Sequence, residues 1–530
     1  MPTADAVIVG ARVRTLDPAY PANPVVQDVA VKNGMIVAVG DVAEWRGAST
    51  TVHHLYGATL TPGLTDGHTH PVYGADQLSG LDLSGCRTLA ELRAALAAAV
   101  RNTGRGEWIR GQGLNHSAFE GGPITNALIE DVLDGIPALL ILYDAHSALA
   151  SSAALRAAGI EGPRTFASRA RIVCDQEGKP TGHLLEAAAI TLVQQLVPVA
   201  DASERRKRVL DLLRSMAATG LTGGHVMDCE GGALELIEGI EDLPLRLRFA
   251  SWAAPGDIDE QIGRLLELHG TGGKRWSVDA VKFFLDGTVE GGTAWLESAD
   301  CHGQNTDSLW RDPGEYTRAV HRLDAAGMQT ATHAIGDASV RYALDTLAGT
   351  ARKVRHRIEH IETLPYAQVE RFAQLGVTAS MMPTHATYSV ADQSDEWSVR
   401  VGRERADRAF CCRDLRDTGA TLVLGSDWPI AHFDPRQVLA TAQLRRLPGT
   451  GSTTEPIVPG QALTALMALE GMTTHTAYAT GQEHVAGRIA PGYRADLTAF
   501  TLDPVTAPPD ELADAPIRLT MVDGTATHQS

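Results

Sequence analysis

Leu64-Thr65-Asp66-Gly67-His68-Thr69-His70 reads as a β-strand that ends in two histidines one residue apart. In a strand, residues i and i+2 point to the same side, so His68 and His70 converge at its end. Two imidazoles side by side suit a borderline cation such as Zn²⁺. An isolated H-x-H is equally at home in a polar loop, so the chain around it decides.

Working outward, seven further β-rich runs follow: Leu221–Asp228, Leu245–Ala253, Asp279–Asp286, Met328–Ala334, Arg355–His360, Val377–Thr384 and Thr421–Trp428. Most precede a helical pattern, as in Tyr316–Ala326, Ala338–Leu347 and Pro365–Leu375. Strand–helix alternation predicts a parallel α/β sheet, and eight such units predict a (β/α)8 TIM barrel. Active sites of such barrels lie at the carboxyl ends of the strands. There the sequence places His333 on strand five, His360 on strand six and Asp427 on strand eight, joining His68 and His70 on strand one. Ligand-type residues at one edge on four separate strands predict a metal site.

The first two strands are separated by 220 − 70 = 150 residues, too many for one βα unit. Residues 72 to about 205 are therefore expected to hold an inserted subdomain, with a strand over Ala138–His146 and helices over Leu89–Val100 and Glu186–Leu196. At the two ends, Ala6–Val13, Val25–Gly40 (with the hairpin signal Asn33-Gly34), Ala495–Thr501 and Ile517–Gly524 read as strands. The division expected is a composite β-domain from 1–60 and 478–530, with the barrel over 61–477.

Lys282 stands out because only six lysines occur, and this one lies in the apolar run Val278–Leu285. A buried ammonium must be paired or neutral. Two readings stay open: a salt bridge, perhaps to Asp286, or a neutral amine carboxylated by CO2 to a carbamate able to bridge two metals.

Composition narrows the function. The net charge is 46 − 64 = −18, which argues against nucleic acid or an anionic membrane as partner. No apolar run reaches membrane-spanning length, and the first residues lack a secretory pattern. The six cysteines form no C-x-x-C pair, as expected of reduced thiols in the cytoplasm. H-E-x-x-H, G-x-S-x-G and P-loop motifs are absent, which disfavours a serine hydrolase. Dimers being the commonest oligomers, a homodimer is the default expectation.

Several segments together resemble the amidohydrolase superfamily, specifically its YtcJ-like (amidohydrolase 3) branch, which includes a deformylase of N-substituted formamides. They are Thr61–His70, Gly178-Lys179-Pro180-Thr181-Gly182 with Glu186, Lys282–Gly287, His333–Asp337, Arg355–His360, Gly425-Ser426-Asp427-Trp428-Pro429 and Val485–Leu497. The resemblance implies a barrel with a split β-sandwich. It also implies two divalent metals held by His68, His70, carboxylated Lys282, His333, His360 and Asp427. Zn²⁺ is the default, with Mn²⁺, Fe²⁺ or Co²⁺ as the other candidates. One departure is visible: Asp144-Ala145-His146 is followed by Ala150-Ser151-Ser152, where the family often carries Asn.

The chemistry expected is hydrolysis of an amide-type carbon–nitrogen bond in a small molecule. A metal-activated hydroxide attacks, and Asp427 serves as general base and then acid. Asp427 could otherwise be a plain turn or cap carboxylate. Asp337, Asp286 and Glu359 are candidates to hold ligating imidazoles, or else surface ion pairs. Arg355, Arg357, His385, Trp428, Trp295 and His146 are candidates to touch substrate, with His183 and Trp397 behind them; for each, packing or an ion pair is the ordinary alternative. Competing functions on the same scaffold are ester hydrolysis, deamination, isomerisation or a non-catalytic metal-binding role.

Overall fold

In a computed structural model the structure describes residues 3–104, 106–451 and 453–530. Eight parallel strands form the barrel: β1 (Leu64–Thr69), β2 (Leu221–Val226), β3 (Arg246–Ala253), β4 (Trp276–Phe284), β5 (Gln329–Ala334), β6 (Arg357–His360), β7 (Thr378–Met381) and β8 (Leu422–Leu424). They are hydrogen-bonded in sequence order from β1 to β8. Closure is made beyond β8: Thr69 bridges Trp428, the Asp427 N–H donates to His68 O at 2.7 Å, and the His70 N–H donates to Trp428 O at 2.8 Å. Two of the four runs that carry ligand-type residues to their ends, β6 and β8, are shorter than the sequence predicts. Asp427 has φ 58°, so the chain has already left the extended conformation beyond Leu424, and β6 begins only at Arg357.

The helices between strands wrap the barrel with one apolar face each. The helix Pro313–Ala325 is typical. Asp312 caps it by accepting from the Gly314 N–H, proline occupies its first turn, and Tyr316, Ala319, Val320 and Leu323 are buried at helical spacing. Those side chains join Phe249, Val281, Phe283 and Leu344 in one continuous core around the strands.

The long segment between β1 and β2 is richer in strands than its sequence indicates. It holds a six-stranded sheet in the order Arg171–Cys174, Pro180–Leu185, Ser147–Ala150, Ala138–Leu142, Ile109–Leu114, Leu81–Asp82. The expected strand Ala138–His146 ends at Leu142, and Tyr143–His146 form the turn that leads to its antiparallel neighbour. The two expected helices are present as Leu89–Asn102 and Ala187–Gln194.

Beneath the barrel, Ala6–Val13, Val25–Lys32, Met35–Gly40, Thr51–His54 and Thr59–Pro62 combine with Leu497–Phe500, Ile517–Val522 and Thr525–Gln529 in one eight-stranded sheet. Thr59–Pro62 pairs with both Ala6–Val13 and Leu497–Phe500, so it joins the two ends of the chain. Asn33 and Gly34 both take positive φ, as a tight hairpin requires. This sheet lies against the amino ends of β2 and β3, where Arg246 donates to Asp496 and Asp523 and Thr498 Oγ1 donates to Gly220 O. No helix among the described residues is long and apolar enough to cross a membrane.

Candidate metal centre

Five imidazoles run in a row across the carboxyl end of the barrel. From His70 to His68 to His360 to His333 to His146 the ring centroids are 5.3, 4.9, 4.4 and 4.9 Å apart. His385 stacks on His360 at 6.0 Å. β1 supplies His68 and His70, β5 supplies His333, β6 supplies His360, and the turn after β8 supplies Asp427. His360 and Asp427 take φ of 74° and 58°, a region that side-chain-bearing residues rarely adopt. Such backbone persists where the surroundings over-determine it, typically at sites that use it.

Asp427 is the hub. Its Oδ1 lies 3.2 Å from His70 Nε2 and 3.5 Å from His68 Nε2, and its Oδ2 lies 3.9 Å from His360 Nδ1 and 3.7 Å from His385 Nε2. Lys282 Nζ sits 3.3 Å from His68 Nε2. Lys282 makes no salt bridge among the described residues, which removes the pairing with Asp286. Asp286 instead accepts from the N–H groups of Trp295, Ile335 and Gly336.

Burial sets the electrostatics. It drives His68, His333 and His360 well below the usual imidazole range, with neighbouring cationic groups adding to the shift. These three rings are therefore neutral, the form that binds a metal. Burial also lowers Lys282 to about 8. It acts to raise Asp427, but the surrounding imidazoles outweigh it and hold the carboxyl well below its ordinary range.

Two of the imidazoles are fixed from behind by carboxylates. His68 Nδ1 meets Glu359 Oε2 at 2.7 Å, and His70 Nδ1 meets Asp228 Oδ2 at 2.5 Å. A carboxylate on one ring nitrogen orients the other toward a metal and increases its basicity. Glu359 was a candidate for such a role; Asp228 was not, although it closes the second predicted strand at the same edge where the histidines were found. The residues fit a divalent metal. His68, His360 and Asp427 offer donor atoms within 4.8 Å of one another, and buried His360 Nδ1 has no hydrogen-bond partner among the described residues. A nitrogen-rich set of this kind suits Zn²⁺ and its neighbours better than Mg²⁺ or Ca²⁺.

The centre opens into a cavity of about 890 Å³, walled by Trp252, Phe284 and Trp397 and by Tyr143, Asp144 and His146 of the insertion. His385 also lines it. Other predicted contacts lie elsewhere. Arg355 precedes β6 at the far end of the barrel and pairs with Glu483 at 2.7 Å. Arg357 is fully buried inside the barrel beneath His68, where it donates to Glu359, Gly67 O and Ser380 Oγ, so no substrate reaches it. Trp295 packs on Tyr342 and Trp428 on Phe433, and neither lines the cavity. Asp337 binds Arg405 Nε and the Glu297 N–H and touches no member of the row. His183 has no carboxylate behind it, and burial lowers it to about 4.

Comparison with known proteins agrees with the fold. A family model described as Amidohydrolase family (amidohydrolase 3) matches residues 52–528. "N-substituted formamide deformylase" of Arthrobacter pascens is 28% identical, over 99% of this chain and 98% of its own. "Protein LONG AFTER FAR-RED 3" of Arabidopsis thaliana is 29% identical, over 94% of this chain and 87% of its own. Among solved structures, an uncharacterized metal-dependent hydrolase from Pyrococcus horikoshii has the same fold. Its TM-score is 0.72 at 22% identity, covering 95% of this chain and 99% of that one.

Proposed function

The chain belongs to the amidohydrolase family, hydrolytic enzymes acting on non-peptide carbon–nitrogen bonds, and we propose that it cleaves an amide-type bond of a small molecule at two divalent metal ions. The observation that carries this reading is the row of imidazoles converging on Asp427, three of them buried and neutral. His68, His70 and Asp427 would hold one ion, and His333 and His360 the other. Lys282, as a carbamate, would lie between them; its burial without a carboxylate partner supports that role.

When bound, such metals polarise a carbonyl and bring the pKa of a water close to neutrality. The chain's own contribution is positional and protonic. Glu359 and Asp228 hold His68 and His70 in one ring orientation. Asp427 takes the proton of the attacking water on a carboxylate oxygen and returns it to the leaving nitrogen as the carbon–nitrogen bond breaks. The aromatic wall of Trp252, Phe284 and Trp397 excludes bulk water and receives the apolar part of the substrate. On the same reading 61–477 is the catalytic unit, and 1–60 with 478–530 is its split sandwich.

The test is a panel of formamides, N-acyl amines, lactams and esters assayed with metal-reconstituted protein. Amine release from at least one amide is expected, and it should disappear in Asp427→Asn. Turnover of esters alone would refute the amide reading.

A further inference from the structure

Three of the five imidazoles in the row share one construction. His68 and His70 each have Nδ1 on a buried carboxylate and Nε2 turned to the centre, and His146 is built the same way: its Nδ1 meets Glu186 Oε2 at 2.9 Å. The protein goes to some length to place that carboxylate. Glu186 is 3% exposed and takes φ 69° with ψ 157°, backbone essentially confined to glycine. Its Oε1 has no hydrogen-bond partner among the described residues and packs where residue 287 has no side chain; a Cβ on Gly287 would stand 2.0 Å from it. Beyond this tether, the His146 ring lies as far from His333 as His360 lies from His68, 4.9 Å in both cases. Its Nε2 makes no hydrogen bond among the described residues and the ring lines the cavity.

From this geometry we infer that His146 is a metal ligand, supplied by the insertion to the ion that His333 and His360 hold. A carboxylate behind Nδ1 fixes the ring and leaves Nε2 as the donor, the arrangement that marks metal-binding histidines. The other two histidines of the insertion lack the construction. His183 has no carboxylate partner, and the nearest to His116 is Asp144 at 3.9 Å. The consequence is that the insertion completes the metal centre as well as roofing it. This inference rests on the metal-dependent reading above.

Metal-free protein titrated with Co²⁺, followed by visible absorption and by elemental analysis, tests it. Wild type should bind two ions. In His146→Gln the affinity for one of them should fall at least about 10-fold, with a changed absorption spectrum, and Glu186→Gln should weaken the same ion by about 10- to 100-fold. His183→Gln should match wild type and serves as the control for folding of the insertion. If wild type binds two ions and both His146→Gln and Glu186→Gln bind them with unchanged affinity and spectrum, the inference is overturned and the metal reading survives; a rise in KM alone would then assign His146 to the substrate. Wild type that binds no Co²⁺ would sink both.

Discussion

At the amino end of the barrel, Arg246 donates to Asp496 and Asp523, Arg275 donates to Asp523 and to the carbonyls of Leu243 and Val522, and Arg355 pairs with Glu483. Each of these arginines meets a carboxylate within the protein. At the carboxyl end, five imidazoles, a lysine and an aspartate crowd together, and the buried nitrogen of His360 has no partner among the described residues. Both ends draw on the same residue types, and the difference lies in what completes them. The ion pairs of the floor close on one another when the chain folds, whereas the mouth is assembled from donors that a cation would satisfy. Unpaired buried polar groups are costly, so such a cluster is retained for what it binds. Stability and chemistry are thereby separated along one barrel axis.

That separation can be broken from either side. The largest effect belongs to the mouth. Asp427→Asn should lower turnover of the identified amide by about 10²- to 10⁴-fold, the range for losing a general acid–base group. Its thermal midpoint should not fall, and steady-state kinetics beside a melting curve would check both. Next, Asp228→Asn should weaken metal binding by about 10- to 100-fold through loss of the support behind His70, as measured by competition with a chelating dye. The floor should behave inversely. Asp523→Ala leaves Arg246 and Arg275 short of a partner and should cost about 2 kcal/mol in denaturant unfolding, with metal content unchanged. A comparable loss of metal in that variant would show that the two ends are coupled.

The smallest effect is a pH dependence in the floor sheet. Burial acts to raise the Asp503 carboxyl, but Arg14 and the Val505 N–H outweigh it and hold it below the usual range. A depressed carboxyl stabilises the fold above its unfolded value, about 3.9, and that contribution fades as pH falls through the folded value. Asp503→Asn should therefore narrow the stability difference between neutral pH and pH 3, read from urea midpoints at each.

The barrel and its metal edge were legible because both depend on local rules. Apolar runs mark strands, and the last residue of each run marks the edge. Asp228 obeys the same rule at the end of its strand, but an aspartate there is also an ordinary turn residue. Depth was not legible. Alternation tells which side Arg357 takes but not that it lies beneath Glu359, sealed from substrate. The six-stranded sheet of the insertion was also hidden. Its strands are two to six residues long, and pairings such as Ala148 with Ile141 and with Leu184 are set by tertiary contact rather than by any pattern within a strand. His146 and Glu186 illustrate the limit together: 40 residues apart in sequence, they meet only because that sheet forms.

The pairing of Thr59–Pro62 with Leu497–Phe500 also imposes an order in time. A ribosome that has made Pro62 must add 496 − 62 = 434 residues before the partner strand begins, roughly 20 to 90 s of synthesis. Throughout that interval Thr59–Pro62 lacks its carboxyl-terminal neighbour, while the whole barrel is being made. The barrel's floor is therefore among the last parts of the molecule to close.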